Sequence, residues 1–431
     1  MKFFCRQLAS AGIILLAVLA AGNNRCFSQA TIFNTDETKV PPYTLPDPLV
    51  DSGGKKITTA TAWMQRQRPY IFHLFEEHVY GRFPAKKTPL QFVVRESSKN
   101  ALQNTAIRKQ VRIFLHPADS SVYIDLLIYL PINAKGPVPV FTGYNFSGNH
   151  TISNDSGVFL SGNWIDPRSK GVVNNRATDS SRGSSASQWQ VTEILSHGYG
   201  IAVAYYGDIE PDNPDGWKTG IRTILAGELQ IKPTAWGAIG AWAWGLTRIM
   251  DYLQQDKLVD AGKVAIIGHS RLGKAALWAG ASDQRFSIII SNESGEGGAA
   301  LARRWYGETV AIINQKFPHW FSANYKKYND NTAALPVDQH MLLSLMAPRP
   351  LYVASAEGDQ WSDPKGEFLS ARHADPVYAL FGKKGIGTDS MPGLHQPVGE
   401  TIRYHIRAGK HDVTLYDWQQ YLGFADKFWK K

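Results

Sequence analysis

Apolar residues fall at helical spacing over positions 60–81, and Gly81 and Pro84 end that run. Positions 107–115 alternate in part and 122–130 are more continuously apolar, so both predict strands. Further short apolar runs at 138–142 and 201–205 read as buried strands. The Ala- and Trp-rich segment 236–253 predicts a helix. A β-branched run at 264–267 predicts a strand, and 271–281 the helix that follows. Strands are expected at 286–291, 351–355 and 401–406, with a closing helix over 425–431. Strands that alternate with helices imply a mostly parallel sheet covered on both faces, with functional residues at the carboxyl ends of its strands. The stretch 145–190 is polar, rich in Gly, Ser and Asn, and has no clear period. A loop that long inside a compact chain is usually functional.

Composition narrows this picture only moderately. Of 431 residues, 43% are hydrophobic and 19% charged, enough for a large core and against general disorder. Aromatics reach 12%, with 13 Trp, a supply that suits both core packing and a sugar-handling surface. The start of the chain has the pattern of an export signal. Lys2 and Arg6 precede an apolar stretch at 8–21, and a polar segment ends in Ser28-Gln29-Ala30. The expectation is a signal peptide at 1–30, a Pro- and Thr-rich extended arm at 31–58, and a single catalytic domain at 59–431, secreted or periplasmic. Both cysteines, Cys5 and Cys26, precede Ala30, so disulfides would not hold the mature fold. Removing the first 30 residues leaves 43 basic against 37 acidic side chains, a net charge near +6. No dense Lys/Arg run of the nucleic-acid-binding kind is present, and no stable membrane association is expected after signal removal. The oligomeric state is not legible.

Candidate chemistry concentrates around Ser270. The predicted strand at 264–267 leads into Gly268-His269-Ser270 and then a helix, the context of a nucleophile elbow. The common motif is Gly-x-Ser-x-Gly, whereas here Leu272 stands in the final position and Gly273 follows one later. In this fold the acid and then a histidine follow the serine along the chain. His395, His405 and His411 are the late histidines. His405 falls inside the strand at 401–406, while His411 lies after it and is favoured as general base. Glu293 follows the strand at 286–291 and Asp359 the strand at 351–355. Either carboxylate could orient the imidazole.

With Ser270-Arg271, Lys274, Glu293, Trp361 and His411 in view, the chain resembles the glucuronoyl esterases of carbohydrate esterase family fifteen. The family elbow reads Gly-x-Ser-Arg-x-Gly-Lys, matched by Gly268-His269-Ser270-Arg271-Leu272-Gly273-Lys274, including the displaced glycine. The segments 144–150, 317–321 and 407–418 are also similar to the bacterial branch. The resemblance implies an α/β-hydrolase fold, a mostly parallel sheet in a three-layer sandwich with inserted loops. It implies Ser270 as nucleophile, His411 as base, and Glu293 as acid with Asp359 kept open. It assigns Arg271 to the oxyanion and Lys274 and Trp361 to the uronic acid ring. Glu308, in Tyr306-Gly307-Glu308-Thr309, is a weaker candidate for a sugar hydroxyl, with helix surface as the other reading. The substrate would be a glucuronoxylan or lignin–carbohydrate ester, with no metal or organic cofactor. Two other readings remain open at this point: an acetyl xylan or feruloyl esterase on the same fold, and a non-catalytic secreted carbohydrate-binding protein.

Overall fold

The computed structural model describes residues 33–84, 91–117, 119–229, 232 and 235–430. The expected signal peptide and both cysteines lie outside the described residues. From Phe33 onward the chain forms one compact unit.

In chain order its elements begin with α1, a continuous helix over 60–80 interrupted by two π-helical turns, Trp63–Gln67 and Glu76–Tyr80. Strands β1 (Gln91–Asn100), β2 (Ala106–His116), β3 (Asp119–Pro131) and β4 (Val138–Asn145) follow. Then come α2 (Val191–Ser196), β5 (Gly200–Tyr205), α3 (Ala238–Leu253), β6 (Val259–His269) and α4 (Arg271–Ser282). The last third carries β7 (Ile288–Asn292), β8 (Leu351–Ala356), α5 (Pro364–His373), β9 (Val398–Gly399), β10 (Ile402–Arg407) and α6 (Leu415–Trp429).

The ten strands make one sheet in the order β1-β2-β3-β5-β4-β6-β7-β8-β10-β9. Its centre is parallel, from β5 through β4, β6, β7 and β8 to β10. The two margins are antiparallel. Side chains of successive strand residues point to opposite faces, and the core divides accordingly. Val264 and Ile266 of β6 join the cluster built on α1, α3 and α4. Ala265 and Ile267 join the cluster built on α2 and α6. Leu351 and Val353 of β8 go to the first, Tyr352 and Ala354 to the second. This is the three-layer α/β-hydrolase arrangement.

The departures from the sequence pattern have local causes. Strand β1 escapes detection because it is an edge strand, largely exposed, and so lacks an apolar face. Helix α6 begins at Leu415, ten residues before the expected start, where Thr414 and Asp417 form a capping box. Short helices at Val310–Lys316 and Gln339–Ser344 were not anticipated; both are too short to display a helical repeat. The polar stretch 145–190 is mostly irregular but firmly held. Arg108 bonds to Asp155, Asn163 to Asp208, and the buried His150 ring to Ser181 at 2.7 Å.

The elbow itself depends on two absent side chains. A Cβ at Gly268 would stand 2.0 Å from the carbonyl oxygen of Leu272, and one at Gly273 would stand 2.9 Å from Ser294 Cβ. Gly268→Ala is therefore expected to destabilise the protein by about 2–4 kcal/mol. Denaturant unfolding reads this as a lower midpoint, and an unchanged midpoint would refute the steric assignment.

Candidate active site

Ser270 sits between β6 and α4 with φ 56° and ψ −133°. A non-glycine residue at positive φ is strained by roughly 1–3 kcal/mol and persists only when its surroundings hold it. Here the Ser270 N–H donates to the carbonyl of Asn292, at the end of β7, at 2.9 Å. Helix α4 starts at the next residue, so its positive dipole end and its first N–H groups adjoin the serine, while the Gly273 N–H already donates to the Ser270 carbonyl at 2.8 Å.

His411 comes from the loop between β10 and α6. Its ring centroid lies 4.3 Å from that of His269, the residue immediately before Ser270. The strand end at 407 therefore delivers the imidazole to the elbow. Both candidate acids reach the same ring nitrogen: His411 Nδ1 lies 2.6 Å from Asp359 Oδ2 and 3.0 Å from Glu293 Oε2. Asp359 makes the shorter contact and the one with hydrogen-bond geometry. Glu293, with φ 47°, is buried, and its oxygens also accept from Arg407 Nη2 at 2.6 Å and from the Asp412 N–H at 3.1 Å. It thus braces the whole histidine loop as well as touching the ring. The other late histidines are used elsewhere. His405 is fully buried and bonded to Tyr352 and Asp417, and His395 Nε2 accepts the Ala408 N–H.

The two carboxylates set the local electrostatics. Burial disfavours the charged form of His411, but the bonds to Asp359 and Glu293 outweigh it and lift the imidazole to about 10. Burial raises Glu293 to about 7, against the pull of His411 and Arg407. Asp359 is also desolvated, yet its bond to His411 leaves it below the ordinary carboxylate value. Asp359 is therefore the member of the pair that carries its negative charge most firmly. His269 is pushed down to about 3, by burial first and by the neighbouring His411 second, so it stays neutral. Asn292 Nδ2 donates to the Tyr421 hydroxyl. Its Oδ1, 2.6 Å from His269 Nδ1, is then the acceptor, and that nitrogen carries the proton. Among the described residues, His269, Glu293 and His411 offer potential metal-ligand atoms within 4.8 Å of one another. However, both Nδ1 atoms and both Glu293 oxygens are already engaged in the contacts just given.

The remaining sequence candidates line the α4 side of the serine. Arg271 Nε lies 2.8 Å from Asp212 Oδ2, and the guanidinium stands over Phe146, Trp320 and Tyr206 at 4.9, 5.5 and 5.9 Å from their ring centroids. Lys274 is only 2% exposed and donates to the Glu296 carbonyl at 2.5 Å and to Glu308 Oε2 at 2.9 Å. Neither residue is a solvated helix side chain. Glu308, which could have been helix surface, instead sits buried in a loop, where its N–H donates to the Trp361 carbonyl at 2.8 Å. Trp361 is half-buried, with Phe33 edge-on at 4.9 Å and Lys316 Nζ at 4.3 Å from its centroid.

Sequence reading missed Asp212, which binds Arg271 and also accepts from Trp320 Nε1 and contacts His319 Nε2, both at 2.7 Å. It missed His269, Asn292 and Arg407 as well. The available signal was position: Asp212 follows the carboxyl end of β5, where functional groups gather in parallel sheets.

The sheet order and the strained serine beside an imidazole define an α/β-hydrolase. The family model of glucuronyl esterases of fungi matches residues 228–382. A carbohydrate esterase from an unknown prokaryotic organism is 48% identical over 403 residues, spanning 93% of each chain. The solved glucuronoyl esterase from Solibacter usitatus is 54% identical, with a TM-score of 0.85 over 91% of this chain and all of that one. A 4-O-methyl-glucuronoyl methylesterase from Phanerochaete carnosa is 34% identical over 154 residues, 34% of this chain and 38% of its own. The chain belongs to the glucuronoyl esterases of carbohydrate esterase family fifteen and is a carboxylic ester hydrolase. Among the described residues no helix is long and apolar enough to cross a membrane.

The carboxylate pair makes a direct electrostatic prediction. Free histidine titrates near 6.5, and His411 is held above it in the folded state. Its charge should therefore persist through neutral pH and be lost only as pH rises toward the folded value. Asp359→Asn removes one stabilising anion and should move the titration of His411 downward, read by NMR of the labelled imidazole. A midpoint that stays put or rises would contradict the assignment.

Proposed function

We propose that the protein hydrolyses esters formed at the C6 carboxyl of glucuronic or 4-O-methyl-glucuronic acid, including lignin–glucuronoxylan cross-links, through an acyl-enzyme on Ser270. The observation that carries this reading is the delivery of one imidazole, gripped through Nδ1 by two buried carboxylates, to the elbow that presents Ser270. With Nδ1 so occupied, Nε2 is the nitrogen left to exchange a proton.

In this mechanism the Ser270 oxygen attacks the ester carbonyl as His411 takes its proton through Nε2; the neutral imidazole this requires is the form that grows as pH rises toward the raised folded value of His411. Asp359 and Glu293 stabilise the imidazolium that forms, with Asp359 the firmer anion. The tetrahedral oxyanion collects hydrogen bonds from the first turn of α4 and positive charge from Arg271, whose aromatic surroundings strengthen it. Collapse breaks the bond to the alcohol, which leaves with the proton from His411. Water, deprotonated by the same imidazole, then attacks the acyl-enzyme and releases free glucuronate and Ser270. Lys274 and Glu308 form a fixed ion pair that can address sugar hydroxyls as donor and acceptor, and Trp361 offers a ring face beside them. This uronate-shaped polarity, together with relatives named for 4-O-methyl-glucuronoyl methyl esters, favours a uronate over an acetyl or feruloyl group. A polymeric wall substrate calls for an enzyme outside the cytoplasm, in keeping with the leader expected at 1–30.

Two tests follow. Ser270→Ala should abolish turnover of methyl glucuronate by at least about 10³-fold while ligand binding survives; unchanged hydrolysis removes Ser270 from the chemistry. Arg271→Ala should lower kcat by about 10²–10³-fold with a smaller change in KM. A change confined to KM would make Arg271 a binding group only. Comparing methyl glucuronate with acetylated and feruloylated sugars decides the substrate class, and a wide preference for acetyl would overturn the uronate reading.

A further inference from the structure

A second recess opens on the same rim of the sheet as Ser270. It occupies about 250 Å3 and is walled by Pro214, Trp217, Pro318, His319, Phe321 and Lys326. The segment after β5 leaves the carboxyl end of that strand, and α3 begins at Ala238. The turns after β5 therefore lie at the carboxyl edge of the parallel strands, as the elbow does. The Ala238 N–H donates to the His319 carbonyl, which fixes the segment 317–321 against that helix start.

The recess is linked to the candidate active site by one buried polar relay. His319 forms its inner wall and contacts Asp212 at 2.7 Å; Asp212 in turn pairs with Arg271, the residue after Ser270. Trp320, between them, lies 5.8 Å from Lys274 Nζ and 5.5 Å from Arg271. This is the side of the sheet that carries the Lys274–Glu308 pair. His411, from which a leaving alcohol would take its proton, packs on His269. That residue shares its sheet face with Ile267, on the α6 side. On the ester reading above, the alcohol half would lie toward His411 and the uronate half toward Lys274, the side that the buried Trp320 joins to the segment walling the recess.

The walls suit a neutral sugar chain. Trp217 is half-buried and offers a ring face, with prolines at 214 and 318 as further apolar surface. Lys326 is exposed at the edge, and Lys218 stands 6.0 Å from the Trp217 centroid. A flat apolar ring bordered by donors is the combination that C–H faces and hydroxyls of a pyranose require.

Building on the glucuronoyl ester reading above, we propose that this recess is a subsite for the neutral polysaccharide main chain that bears the esterified uronate, with Trp217 as its stacking platform. Its occupant is a pentose or hexose unit attached to the uronate, and its contribution is to substrate capture rather than to the bond-breaking steps.

The test uses the full-length enzyme and two substrates, methyl glucuronate and the same methyl ester carried on a xylooligosaccharide. Trp217→Ala should raise KM for the oligosaccharide ester about tenfold, with kcat retained, and leave both constants for methyl glucuronate unchanged. Lys326→Ala should act in the same direction with a smaller effect, and it guards against a folding defect in the Trp217 variant. The proposal is overturned if both variants leave the oligosaccharide KM unchanged. It is equally overturned if both substrates are affected alike, or if the loss follows the alcohol when benzyl replaces methyl, which would make the recess an alcohol site. Failure of the unmodified enzyme on methyl glucuronate would instead strike the underlying ester reading, so the two failures are distinguishable.

Discussion

A single strained turn organises this molecule. Ser270 is held at positive φ between a strand and a helix that approach so closely that neither Gly268 nor Gly273 has room for a β-carbon. That conformation costs free energy, and the surrounding sheet supplies it: β6 is flanked by β4 and β7, and the serine N–H is bonded to the end of β7. A central position between two parallel neighbours is the most rigid place in such a sheet.

The second constraint is electrostatic. Two carboxylates converge on one imidazole nitrogen in a largely buried site, and like charges that close cannot both be held cheaply. The structure divides the burden. Asp359 stays below the ordinary carboxylate range through its bond to His411, while Glu293 is raised and leans on Arg407 and the Asp412 N–H. One carboxylate then orients and charges the ring, and the other ties down the loop that carries it. Arg407 closes the arrangement by bonding Asp417 as well, which also accepts from the start of α6 and pairs with His405. The histidine loop is thus anchored on both of its flanks by ion pairs that are almost fully buried.

Much of this was legible beforehand because it is encoded locally. The short β-branched run before Gly268, the serine, and the helix after it are contiguous, and the displaced glycine at 273 is visible in the letters, although the contact that demands it, Ser294 Cβ 2.9 Å from an added Cβ, is tertiary. Glu293, Asp359 and His411 were legible as residues just past strand ends. Strand β1 was not, because an exposed edge has no apolar period to read. Asp212 was hidden for a different reason. Its only mark in the sequence is a place after the carboxyl end of β5, and its importance comes from Arg271, 59 positions away, meeting it across the rim at 2.8 Å.

The sequence by itself determined the alternation of strands and helices that makes a covered parallel sheet, the serine turn and most of the candidates for the site, since hydrophobic period and steric demand act over a few neighbouring positions. Only the tertiary structure decided how those residues share their work. It showed that both acids touch the same ring nitrogen, that Lys274 is buried against Glu308 rather than solvated, and that Asp212 and His319 link Arg271 to a second recess. Charge interactions fall off with distance and depend on burial, and both are set by how remote segments pack, not by their order along the chain.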